Sequence, residues 1–197
     1  MRQILPSGEF IRLSLYICAQ ELFGEKMSNS RRQWVVYTDG AAESTNPGPA
    51  AWGAVILIPE FDSEVDTPLL KNGFIGNTTN QVAELMGALE GLRSTPVAAQ
   101  VELVSDSQYV LKGLTEWRTG WLRRGWRNAA GQPIANRTIW EVLYAAADER
   151  EVMTRWVKGH SGDRYNEMAD RLAGEAIRTA RRAGALSVQP GRGKSAR

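Results

Sequence analysis

Gln33-Trp34-Val35-Val36-Tyr37-Thr38-Asp39-Gly40 is a short apolar run that stops on an acid and a glycine. Val101-Glu102-Leu103-Val104-Ser105-Asp106 ends in the same way. Runs of this length, rich in β-branched and aromatic residues, read as strands with at least one buried face. Each strand therefore delivers a carboxylate at its carboxyl end. In mixed α/β sheets, ligands collect beyond the carboxyl ends of parallel strands where the strand order switches, which is where Asp39 and Asp106 stand.

The turn Asn46-Pro47-Gly48-Pro49 follows the first strand, and residues 51–58 form a second strand joined closely enough to be antiparallel. Residues 71–76 give a weaker third strand, after an acidic loop at 59–68. The spacing then predicts a helix over 80–92, capped by Thr79, with an apolar stripe at Val82, Leu85, Met86, Leu89 and Leu92. Glu84 lies opposite that stripe beside Gly87, Ala88 and Gly91, a face without bulky side chains that lets another element approach and aims Glu84 into a site. A short helix begins at Asp106-Ser107, a second spans 138–147 after Asn136, a strand covers 152–158, and the last helix starts near Tyr165. Three early strands followed by alternating strands and helices predict an α/β fold with a mixed five-stranded sheet flanked by helices.

Glu84 and Asp170 bring the set of carboxylates with local signatures to four: Asp39, Glu84, Asp106 and Asp170. Crowded carboxylates raise one another's pKa unless a cation joins them, and an all-oxygen site suits a hard ion such as Mg²⁺. Cys18 is the single cysteine, so neither a disulfide framework nor a cysteine zinc site is available. This composition fits a reduced, cytoplasmic protein. The apolar segment at 10–19 is too short to span a bilayer and contains Arg12, so no membrane association is expected. The net charge of +2 conceals an asymmetry: residues 112–127 carry +4 and the stretch from Arg178 onward carries +6, leaving the remainder at −8. A cationic arm and tail on an acidic body point to a polyanion held beside a metal centre. Residues 1–31 share no pattern with the rest of the chain and read as a poorly ordered extension, with Met27 as a second possible translation start. Residues 32–178 form the domain, and 179–197 read as a basic disordered tail.

Taken in order, the Thr-Asp-Gly strand end, the Asn46–Pro49 turn, Thr78-Thr79-Asn80 leading to Glu84, Ser105-Asp106-Ser107-Gln108-Tyr109-Val110, the tryptophan-rich segment from Trp117 through Gly125-Trp126, and Val157-Lys158-Gly159-His160 with Asp170 ten residues later make a specific pattern. From about residue 33 to 178 the chain resembles type 1 bacterial ribonuclease H, the endonuclease that cuts the RNA strand of RNA–DNA hybrids. The resemblance implies a ribonuclease H-like fold with a basic protrusion, acting as a monomer. It also implies two Mg²⁺ ions, replaceable by Mn²⁺, held by Asp39, Glu84, Asp106 and Asp170, with Asp39 bridging both. His160, the only histidine, takes the place of the family's loop histidine, which assists proton transfer or product departure. Attack by water is in line, and the products carry 5′-phosphate and 3′-hydroxyl ends.

By family position Asn46, Asn80 and Gln108 contact the RNA 2′-hydroxyls, with Gln81 beside them and Thr79 on a phosphate of the DNA strand. Trp117, Trp121, Arg118, Arg123, Arg124 and Arg127 form the protrusion, aromatics stacking while cations hold phosphates. Trp126 and Trp140 are assigned instead to the core. The chain departs from the pattern in a loop one residue longer before Asn46, in Leu57-Ile58 where a relative has an arginine near the DNA, and in the acidic insertion at 60–66. A DNA-directed nuclease of the same wider fold would lack the histidine loop and basic protrusion. A binding module without activity would have lost a carboxylate, and a small-phosphate esterase would not use the arm.

Overall fold

The computed structural model describes residues 33–43, 47–59, 61–63 and 65–185. The extra strand expected at 11–17, the second start at Met27 and the substrate contact at Asn46 lie outside these residues. In chain order the elements are β1 (Trp34–Ala42), β2 (Gly48–Leu57), β3 (Leu69–Thr78), α1 (Asn80–Arg93), β4 (Gln100–Ser105), α2 (Gln108–Lys112), α3 (Arg118–Arg123), α4 (Arg137–Asp148), β5 (Glu151–Trp156) and α5 (Arg164–Arg182). A π-helical turn, Gly113–Trp117, joins α2 to α3. The sheet order is β3-β2-β1-β4-β5, antiparallel from β3 to β1 and parallel from β1 to β5. This is the expected mixed five-stranded sheet.

Period-two alternation explains why helices cover both of its faces. Trp34 and Val36 join Ala54, Ile56, Val101 and Leu103 in the larger core, closed by Leu85, Leu89 and Leu92 of α1 and by Trp140 and Leu143 of α4. The intervening Tyr37, Val55, Leu57 and Val104 face Ala169 of α5. Helix α1 starts where the Thr79 hydroxyl accepts from the Val82 N–H at 3.3 Å. Helix α5 starts where the Asp163 carboxylate accepts from Tyr165 and Asn166, both at 3.1 Å. Such caps satisfy amides that the first turn leaves open.

Several boundaries differ from expectation, three of them for a visible physical reason. Strand β1 continues past Thr38 to Ala42, because its antiparallel partner persists to the Ala42–Ala50 pair after its parallel partner has ended. Strand β2 begins at Gly48, inside the proline-containing turn, with a register shift between Ala50 and Ala51 absorbing the irregularity. The third difference corrects the basic tail: α5 runs through Arg182, Ala180 is buried, and Arg181 pairs with Glu43. The apolar period of this helix outlasts residue 178, and burial of Ala176, Ile177 and Ala180 offsets the charge of the intervening arginines.

Candidate active site

Parallel strands β1 and β4 pair from Trp34–Val101 to Tyr37–Val104. Carrying the same register two residues further sets Asp39 beside Asp106. Helix α1 supplies the third acid because β1 and α1 touch. A Cβ on Gly40 would run into the α1 backbone at Ala83 and Glu84, and one on Gly87 would come 3.0 Å from the Asp39 carbonyl oxygen. The glycine and alanine face of α1 is therefore what brings Glu84 against the strand end. One carboxylate oxygen from each of Asp39, Glu84 and Asp106 lies within 4.8 Å of the others.

Asp39 and Glu84 are buried. Burial first, and then repulsion from Asp106 and Asp170, pushes the Asp39 carboxyl from 3.8 up to about 7, against the opposing hydrogen bond from the Gly40 N–H to its Oδ1 at 2.7 Å. Glu84 is driven well above its ordinary value by burial, Asp39 and Asp106, in that order. Its Oε1 accepts from the Asn80 side-chain amide at 3.3 Å, while its Oε2 is buried without a partner. None of the ion pairs among the described residues reaches these acids. Buried anions without a counter-charge are costly, so this donor set fits divalent cations. Asp170 lies on α5 outside the three-residue cluster, close enough to act on Asp39 through space.

His160 is exposed, in the left-handed region at φ 51°, on the loop leaving β5. Preceding it, Gly159 packs on the Asp106 carboxylate, and the Trp156 indole N–H donates to the Asp106 carbonyl at 3.0 Å. Neither Gly159 nor Trp156 stood out as a site residue in the sequence, where a tryptophan closing a strand reads simply as sheet.

Gln81 and Gln108 are exposed on the first turns of α1 and α2, and Asn80 opens α1 beside Glu84. In the arm, Trp117 is half-buried between Tyr109 and Trp121 at 6.3 and 5.5 Å between ring centroids. Trp121 is 7% exposed and packs edge-on against Trp140 at 5.3 Å. The stacking role expected of Trp121 is therefore corrected: its ring is core. Trp126 and Trp140 are buried, as assigned. Arg118 is committed as well, to Asp148 through Nη1–Oδ1 at 2.6 Å and to the Tyr144 ring at 4.5 Å. Arg123, Arg124 and Arg127 remain exposed.

The family model for RNase H matches residues 31–178. The chain belongs to the ribonuclease H family. Among curated relatives, Ribonuclease H of Marinobacter nauticus is 46% identical over 144 residues, covering 73% of this chain and 93% of that protein. That of Hahella chejuensis is 42% identical over 145 residues, covering 74% and 93%. Among solved structures, LC11-RNase H1 in complex with an RNA/DNA hybrid is 26% identical, with a TM-score of 0.55 over 75% of this chain and 98% of that one. As a ribonuclease H, the chain is a hydrolase of the class that cuts the RNA strand of RNA–DNA hybrids. Among its described residues no helix is long and apolar enough to cross a membrane.

Proposed function

We propose that this ribonuclease H is an endonuclease that works with two Mg²⁺ ions, replaceable by Mn²⁺, held by Asp39, Glu84, Asp106 and Asp170, and leaves 5′-phosphate and 3′-hydroxyl ends. The observation that carries the reading is Glu84 Oε2, buried and unpartnered in a residue of a carboxylate cluster that no ion pair among the described residues reaches. Bound there, the ions supply a Lewis acid that lowers the pKa of water and offsets charge developing on the phosphate.

The chain's own residues prepare that chemistry. The Gly40 N–H and the Asn80 amide orient Asp39 and Glu84. The cluster also holds protons until cations displace them, since Asp39 titrates near neutrality. His160, exposed on its loop, is suited to pass a proton to the departing 3′ oxygen. Asn46, Asn80 and Gln108, with Gln81, read the 2′-hydroxyls that separate RNA from DNA. Thr79 serves the DNA strand, Trp117 offers its exposed part for stacking, and Arg123, Arg124 and Arg127 hold phosphates. One chain supplies all four acids, which supports action as a monomer, and the lone cysteine supports a reduced cytoplasm.

Incubating the protein with RNA–DNA hybrid, duplex RNA and duplex DNA, with and without Mg²⁺, tests the proposal. Cleavage confined to the RNA of the hybrid and dependent on metal is expected. Cutting of duplex DNA, or hybrid cleavage undiminished by chelation, would refute it.

A further inference from the structure

Asp106 is held by residues of a neighbouring strand and of the loop that leaves it. Strand β5 pairs with β4 up to Ser105–Trp156, and the Val157 N–H still donates to the Ser105 carbonyl at 3.2 Å. Beyond that rung the backbones part, and two contacts continue the connection. The Trp156 indole N–H reaches the Asp106 carbonyl at 3.0 Å. Gly159 then closes over the Asp106 side chain: the three nearest atoms to a Cβ built there are Oδ2, Cγ and Cβ of Asp106. Gly159 is not at a positive φ, so its backbone would accept alanine, and the demand for glycine comes from the carboxylate alone.

We infer that Trp156 and Gly159 are positioning residues that clamp Asp106 from both ends, Trp156 fixing its main chain and Gly159 its carboxylate. This rests on the reading of Asp106 as a metal ligand. The clamp also explains how one short segment serves two purposes. His160 directly follows Gly159, so the group assigned to proton transfer is held in register with the Asp106 carboxylate through a single peptide unit. Outer partners of ligating groups are typically worth about 10–100-fold in metal affinity.

The test is calorimetric titration of Mg²⁺ into the wild-type protein, Trp156→Phe and Gly159→Ala, with melting temperatures recorded in parallel. Both variants should bind Mg²⁺ about 10–100-fold more weakly. At saturating Mg²⁺, KM for the hybrid should stay at its wild-type value, because neither residue is among those assigned to hold the hybrid. A double-mutant cycle isolates the contact: in an Asp106→Ala background the added methyl of Gly159→Ala has room, so any cost in melting temperature should disappear. Wild-type Mg²⁺ affinity in both variants overturns the clamp, as does a cost of Gly159→Ala that persists undiminished without the Asp106 carboxylate. Absence of Mg²⁺ binding by the wild-type protein would instead overturn the metal assignment itself.

Discussion

The side-chain amide of Asn80 donates to Glu84 Oε1 at 3.3 Å, one helical turn along α1, while Oε2 of the same carboxylate is buried with no partner. The helix that bears this carboxylate thus fixes one of its oxygens and leaves the other without a hydrogen bond. Glu84 shares its carboxylate cluster with Asp39 and Asp106.

Amide replacement should separate chemistry from folding here. Asp39→Asn and Asp106→Asn remove the charge of a proposed ligand and keep nearly the same shape, so hybrid cleavage should fall below detection while the circular dichroism spectrum is retained. Relief of acid–acid repulsion should also raise the metal-free melting temperature. Substantial residual cleavage by Asp39→Asn at saturating Mg²⁺ would count decisively against its role as a ligand.

Metal-free protein should lose stability as pH rises. The Asp39 carboxyl titrates at about 7 when folded against an ordinary 3.8, so the folded state binds its proton more tightly than the unfolded chain. That contribution is fully present below about 3.8 and is lost as pH climbs through 7. At 1.36 kcal/mol per unit its upper bound is about 4 kcal/mol. Melting temperatures in chelator should therefore decline from pH 5 to pH 8, and saturating Mg²⁺ should suppress the decline by favouring the ionised, folded form. An identical pH profile with and without Mg²⁺ would disprove the coupling.

Much of this site was legible in the sequence because strand ends and helix faces obey simple periods. Asp39 and Asp106 close apolar runs, and the small-residue face of α1 announces that Glu84 sits against another element. Asp170 was singled out by its stretch Asn166–Asp170, but an aspartate on an amphipathic helix carries no period that places it against a strand end, so its role as a ligand came through resemblance. The arm was misjudged at Trp121 because interleaved arginines drew attention to charge. Trp117 and Trp121 are four residues apart, on one face of a helix, and that spacing points inward toward Trp140. The contacts of Gly159 and Trp156 with Asp106 could not be read, because they depend on a strand fifty residues earlier.

Trp121→Ala should accordingly act on folding. A ring buried against Trp140 and Trp117 leaves a cavity when removed, at a cost of about 3–5 kcal/mol. Urea denaturation should show the loss. A wild-type midpoint combined with weakened hybrid binding would restore the stacking role.

His160→Ala should slow turnover by about 10²–10⁴-fold, the usual worth of a proton-transfer group, without abolishing it. Calorimetric Mg²⁺ affinity should be unchanged, because the imidazole is exposed and stands outside the carboxylate cluster. Loss of metal binding in this variant would reassign the histidine as a ligand.

The arginines of the arm should divide into two functional kinds. Arg118 is spent on Asp148 and Tyr144, and this pairing holds the Asp148 carboxyl below its ordinary range. Arg124 and Arg127 donate to main-chain carbonyls, of Arg127 at 3.1 Å and of Gly131 at 2.7 Å, contacts that stiffen the loop while no acid among the described residues pairs with either guanidinium. Arg123 is exposed beside them. Replacing Arg123, Arg124 and Arg127 with alanine should raise KM for the hybrid and leave kcat near wild type, the pattern of lost uniform binding. Each phosphate contact removed should also flatten the log–log dependence of binding on salt by roughly 0.9. Arg118→Ala alone should instead loosen the packing of α3 on α4, lowering the melting temperature slightly with little change in salt slope. If the triple variant kept its wild-type salt slope and KM while kcat collapsed, the arm would belong to the catalytic scaffold, and phosphate attraction would not be its purpose.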